Sequence, residues 1–157
     1  QDITFLSDIV DRLLDLRMYY DEYRPILLKV SPDLSHEQLD EIIDYCLRSG
    51  IDGLVAGNTT RSRDGITSIS KEKIEEIGNG GLSGAPLHKK NLELVRYVHA
   101  KSEGKLPIIG VGGIMTPQQA KDMLDAGASL VEIYSGFIYE GPGLIKKILK
   151  YLEQGIK

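Results

Sequence analysis

Four short apolar runs recur along the chain, each followed by a stretch with helical periodicity, and this alternation constrains the fold more than any other feature. PILLKV (25–30), IDGLVAG (51–57), LPIIGV (106–111) and ASLVEIYS (128–135) have the length and the turn-residue borders of buried strands. After the first, Ser35 opens SHEQLDEIIDYCLRSG with Gln38 as a capping-box partner and Gly50 as a stop. After the second, PLHKKNLELVRYVHAKSEG (86–104) turns Leu87, Leu92, Val95 and Val98 toward one side. Thr116 and Pro117 cap and start a helix that ends at Gly127, and GPGLIKKILKYLEQG supplies a last one with Leu144, Ile145, Ile148, Leu149 and Leu152 apolar. Strands separated by helices are joined by right-handed crossovers and lie parallel, so the fold class is α/β. Upstream, FLSDIVDRLLDLRMYY (5–20) spaces Phe5, Ile9, Leu13, Leu16 and Tyr20 by threes and fours, an amphipathic helix that Arg24-Pro25 closes.

A chain of 157 residues, 41% hydrophobic, is long enough to bury one core, and no linker divides it. With a formal charge of −4 and no long basic run it has no footprint for nucleic acid. Cys46, the single cysteine, lies among Ile42, Ile43 and Leu47 and reads as a small core residue. His36, His88 and His99 fall at helix starts or on helix faces without ligand spacing, so no metal is expected. No apolar run reaches the roughly 18 residues of a membrane span. The acidic groups Asp40-Glu41-Asp44 and Glu72-Glu75-Glu76 read as solvated helix faces. The segment from 57 to 86 is far longer than the usual strand-to-helix loop of about 2–6 residues, and loops of that size commonly carry function.

Residues without an obvious packing role fall just after the strands. Lys29 interrupts an apolar strand, on the same side as Leu27, and its counter-charge is either an anionic ligand or a structural carboxylate such as Asp33. Gly57-Asn58-Thr59-Thr60 gathers hydrogen-bonding groups suited to a planar ligand, or forms an Asx-type turn. Gly80-Gly81-Leu82-Ser83-Gly84-Ala85-Pro86 offers unobstructed backbone N–H groups ahead of a helix. Gly112-Gly113 follows a strand directly and precedes a helix start, where free amides favour a phosphate. One unit later, Tyr134-Ser135-Gly136 ends a strand before a short segment that could form an extra turn. Paired sites of this kind after consecutive strands are the phosphate-binding arrangement of the last two units of a (β/α)₈ barrel.

These motifs resemble the C-terminal half of class 2, quinone-linked dihydroorotate dehydrogenases. The markers are LLKVSPDLS (27–35), GIDGLVAGNTTRSR (50–63), GGLSGAPL (80–87), LPIIGVGGIM (106–115) and AGASLVEIYSGFIYEGP (126–142). The resemblance implies the C-terminal half of a (β/α)₈ TIM barrel, a single partial domain with about four parallel strands. It implies FMN as cofactor, dihydroorotate as the substrate oxidised to orotate in pyrimidine biosynthesis, and a membrane quinone as electron acceptor. By position, it implies that Lys29 contacts the flavin ring, Asn58 and Thr59 hold orotate, and Gly57 approaches the flavin through its backbone. Ser83 and Gly84 would follow the ribityl-phosphate, and Gly112, Gly113, Tyr134 and Ser135 would bind the phosphate. The family's base is a serine in an Asn- and Ser-rich loop upstream of the first helix, so no catalytic base is expected among these residues, and Ser7, inside that helix, is not it.

From the same resemblance, the upstream half would supply the quinone and membrane contacts of a peripheral enzyme on the cytoplasmic face, while this segment binds no membrane itself. Four strands of the eight leave open sheet edges. The isolated segment is therefore expected to be inactive, and to pair with its N-terminal half or with a second copy. Two other readings fit the phosphate motif alone: a different phosphate-binding barrel, such as another flavin oxidoreductase or a sugar-phosphate isomerase, and a non-catalytic half-barrel that associates with a partner.

Overall fold

The computed structural model describes residues 3–64, 66 and 68–155. Its strands are β1 (Leu27–Val30), β2 (Gly53–Ala56), β3 (Ile108–Val111) and β4 (Leu130–Glu132), each shorter than its apolar run. They form one parallel sheet in the order β1-β2-β3-β4, with Lys29 opposite Val55, Val55 opposite Ile109, and Val111 opposite Glu132. Chain order and sheet order coincide, as successive crossovers of one hand require.

The helices are α1 (Ile3–Arg17), α2 (His36–Ser49), α3 (Lys71–Ile77), α4 (His88–Lys101), α5 (Pro117–Asp125), α6 (Ser135–Glu140) and α7 (Gly143–Gln154). Ser35 and Thr116 cap α2 and α5 through complete capping boxes with Gln38 and Gln119. Helix α4 starts later than its periodicity suggests, because Gly84 has φ +88° and Ala85–Leu87 form a 3₁₀ turn ahead of it. The long segment after β2 carries α3, and Thr60 pairs with Leu82 in an isolated antiparallel bridge that folds the segment back on itself.

Alternation divides the sheet's two faces. Val30, Leu54, Ala56 and Ile108 point to the helices and are fully buried with Ile42, Ile43, Val95, Val98 and Met123. The opposite, concave face carries Leu27, Lys29, Leu130 and Glu132, all exposed. Four consecutive strand-helix units with one covered and one open face make this part of a barrel.

Helix α1 corrects an expectation. Phe5, Ile9, Leu13, Leu16 and Tyr20 are exposed, and Tyr20 lies beyond the helix end; the residues that pack inward are Ile3, Leu6, Val10 and Leu14. The helix is apolar on two sides, and periodicity alone does not say which side meets the core. Its C-terminus is anchored by Asp52, which accepts from Arg17 Nη1 at 2.7 Å, from the backbone N–H of Ile26 at 2.6 Å and from the Tyr23 hydroxyl.

Candidate functional site

At the C-terminal ends of the strands lies a cleft of about 520 Å³. Lys29 from β1, Asn58 and Thr59 after β2, Ser83 and Gly84 before α4, Gly112 and Gly113 after β3, and Tyr134 and Ser135 after β4 all line it. The cleft thus brings together nine of the ten residues singled out from sequence; Gly57 is buried behind the wall and does not line it. Leu87, Val111, Ile114, Glu132 and Ile133 complete the lining. Its size is that of a small-molecule site.

The glycines are needed for packing as well as for access. A Cβ on Gly112, at φ +109°, would stand 2.0 Å from Asn91 Nδ2, and one on Gly113, at φ +72°, would stand 2.3 Å from the backbone nitrogen of His88. The turn after β3 therefore lies directly against the first turns of α4, leaving no room for a side chain between them. Asn91 is fully buried and ties this corner together, its Nδ2 donating to the Val111 carbonyl at 2.8 Å. Gly57 belongs to the same corner, since a Cβ there would lie 2.1 Å from the Val111 carbonyl oxygen.

On the other side of the cleft, the side-chain Oδ1 of Asn58 accepts from the Thr59 N–H at 2.9 Å, which commits one of its polar groups to its own turn. Ser135 Oγ donates to Ser83 Oγ at 3.4 Å, joining the segment after β4 to the one before α4. His88, the first residue of α4, is largely buried; burial pushes its pKa below the ordinary histidine value, against the opposing pull of Asp122, whose carboxylate is 3.7 Å from Nε2. The Cys46 thiol, raised to about 11 by burial, is far from the thiolate form.

Lys29 is charge-paired with a residue that sequence reasoning did not single out. Its Nζ lies 3.7 Å from Glu132 Oε2, so the curvature of the sheet brings side chains of the two outer strands together across the concave face. Asp33, the carboxylate considered for Lys29, engages Lys90 instead. The available signal was alternation: Glu132, two residues before Tyr134, points to the same side of β4.

Comparison with known proteins decides the family. A model of the family described as dihydroorotate dehydrogenase matches residues 6–156. The chain belongs to the dihydroorotate dehydrogenase family. It is 47% identical, over 99% of its length, to a dihydroorotate dehydrogenase (quinone) of Christiangramia forsetii, and covers 45% of that protein. A dihydroorotate dehydrogenase (quinone) of Edwardsiella ictaluri is 44% identical over 94% of the chain, which covers 43% of it. Among solved structures, ligand-free dihydroorotate dehydrogenase from Eimeria tenella aligns with 97% of the chain at a TM-score of 0.87 and 31% identity, with 45% of that protein covered. The same enzyme in complex with ferulenol aligns with 88% of the chain at a TM-score of 0.77. The chain therefore spans under half the length of the curated dihydroorotate dehydrogenases it matches.

Among the described residues no helix is long and apolar enough to cross a membrane, and no group of three or more His, Cys, Asp or Glu side chains could hold a metal ion.

Proposed function

We propose that this chain is the cofactor- and substrate-binding part of a quinone-linked dihydroorotate dehydrogenase, which oxidises dihydroorotate to orotate in pyrimidine biosynthesis. The observation that carries the reading is the convergence, at one cleft, of Lys29 from β1 with groups from just after β2, β3 and β4, in a chain of this family. The cleft also fits FMN physically. Gly84, Gly112 and Gly113 line the cleft without side chains of their own, and Ser83 and Ser135, whose hydroxyls are hydrogen-bonded to each other, line it with them, a set that suits a phosphate and a polyol.

In this reading Gly112, Gly113, Tyr134 and Ser135 hold the FMN phosphate, and Ser83 and Gly84 follow the ribityl chain. Lys29 faces the flavin ring, where a cation stabilises negative charge, with Gly57 behind it, and Asn58 and Thr59 hold orotate by matching its carbonyl and N–H groups. When bound, FMN supplies the acceptor for the hydride from C6 of dihydroorotate, and quinone then takes the electrons. In this reading the proton at C5 goes to the family's serine base, which the resemblance places in the remainder of the enzyme. The parent enzyme is read as peripheral on the cytoplasmic face of a membrane, its quinone site lying in that remainder.

The test is reconstitution. Mixing this chain with the N-terminal portion of such an enzyme should restore flavin absorbance and dihydroorotate-dependent dye reduction, with neither part active alone. A soluble, assembled pair that retains FMN but never reduces dye would sink the proposal.

A further inference from the structure

We propose that Asp33 is a positioning residue, whose carboxylate sets the Asn58–Thr59 wall of the cleft and, through it, the orientation of the substrate. Asp33 lies in the turn between β1 and α2 and does not line the cleft. Its carboxylate gathers donors from two other parts of the fold: the Thr60 hydroxyl at 2.6 Å, the Arg61 backbone N–H at 2.8 Å, and the Lys90 ammonium from α4. Thr60 is buried, and with its hydroxyl hydrogen donated in a hydrogen bond to Asp33, its oxygen accepts from the Ser62 N–H at 3.1 Å and from Lys90 Nζ at 3.3 Å. The segment that carries Asn58 and Thr59 is thus fixed just beyond them by one acceptor.

The fixation continues into the facing segment. Thr60 N–H donates to Leu82 O at 3.1 Å and Leu82 N–H to Thr60 O at 2.8 Å, immediately before Ser83 and Gly84. A Cβ on Gly81 would stand 2.1 Å from Thr59 Oγ1, so the two segments are in direct contact. Asp33 therefore governs the spacing between the two sides of this wall. A carboxylate is required by the hydrogen-bond inventory: all three partners donate, and an amide would turn an NH₂ toward one of them. Burial raises the Asp33 pKa, but the hydrogen bonds from Lys90, Thr60 and Arg61 outweigh it and bring the value down to about 2, so the clamp is ionised throughout the working range.

That the ligand on this wall is orotate rests on the function proposed above, and the experiment separates the two. In a full-length, FMN-loaded enzyme carrying this segment, Asp33→Asn should weaken orotate binding, read from the flavin absorbance perturbation, by about tenfold or more, while FMN affinity changes less than about twofold. KM for dihydroorotate should rise by a similar factor with a smaller loss in kcat. Lys90→Met, which keeps the Asp33–Thr60 bond, should show a smaller effect of the same kind and serves if Asp33→Asn does not fold. Orotate affinity unchanged in a folded variant overturns the assignment of Asp33 alone. Parallel losses of orotate affinity, FMN affinity and melting temperature overturn it too, because a general scaffold role would produce them. A wild-type enzyme that binds FMN but not orotate overturns both proposals.

Discussion

At the scale of single residues, the turn after β3 separates two reasons for a glycine. Gly50 and Gly113 both have positive φ, at 80° and 72°, but a Cβ on Gly50 meets nothing within 4 Å whereas one on Gly113 runs into the backbone of His88. Gly50→Ala should therefore cost only the conformational strain, about 1 kcal/mol, and Gly113→Ala roughly 3 kcal/mol or more, because backbone cannot give way as a side chain can. Urea titration of both variants checks this, and equal losses would show that the contact with α4 contributes nothing. His88, at that same contact, makes the corner sensitive to pH. Its folded-state pKa lies below the ordinary value of 6.5, so the unfolded chain binds a proton more readily. The contribution of neutral His88 is complete above about pH 6.5 and declines as pH falls from there toward the lower folded value. His88→Gln should flatten the stability-against-pH curve in that window, and an unaltered slope would refute the assignment.

At the scale of elements, what was legible in the sequence is what local chemistry decides. The capping boxes of α2 and α5 are formed by side chains three residues apart, so SHEQ and TPQQ located those helix starts without tertiary information. Strand ends were less exact, because ASLVEIYS keeps its apolar character through residues that leave the sheet after Glu132 to start α6. Most of the candidate site was legible because barrel chemistry gathers at the C-terminal ends of the strands, where Lys29 falls within β1 and Asn58, Gly112 and Tyr134 fall just beyond β2, β3 and β4. Glu132 and Asp33 were missed as parts of it because their partners, Lys29 and Thr60, come near only through sheet curvature and loop folding. Helix α1 shows the same limit. Val10 is 3% exposed and Ile9 58%, though both lie on apolar stripes. In this chain Val10→Ala should lose about 1–2 kcal/mol, while Ile9→Ser should stay within about 0.5 kcal/mol. Thermal or urea unfolding would reverse that order only if the other stripe were the packed one.

At the scale of the whole molecule, exposed apolar surface among the described residues includes the concave face, α1 and the last two helices. The concave face shows Leu130 at 62%, α1 shows Phe5 at 74%, and the end of the chain shows Ile138 at 66% and Leu149 at 56%. Patches of this kind mark surfaces that another part covers. The chain spans under half the length of the relatives it matches, and on the function proposed above the remainder of a barrel covers these surfaces, with a second copy as the alternative. The pair between Lys29 and Glu132 distinguishes an open face from a closed one. Here their side chains are 45% and 49% exposed, and an ion pair so open to solvent is worth under about 1 kcal/mol. Glu132→Gln in this chain alone should thus leave unfolding by urea nearly unchanged. Within a closed barrel the same substitution removes a charge partner from Lys29 in a shielded interior, and should cost clearly more than on the open face, up to about 3–5 kcal/mol. Measuring Glu132→Gln in the isolated chain and in the complete apo-enzyme therefore reads the closure directly. Equal, small losses in both would mean that the concave face stays wet in the complete enzyme, and that Lys29 works there as a solvated charge.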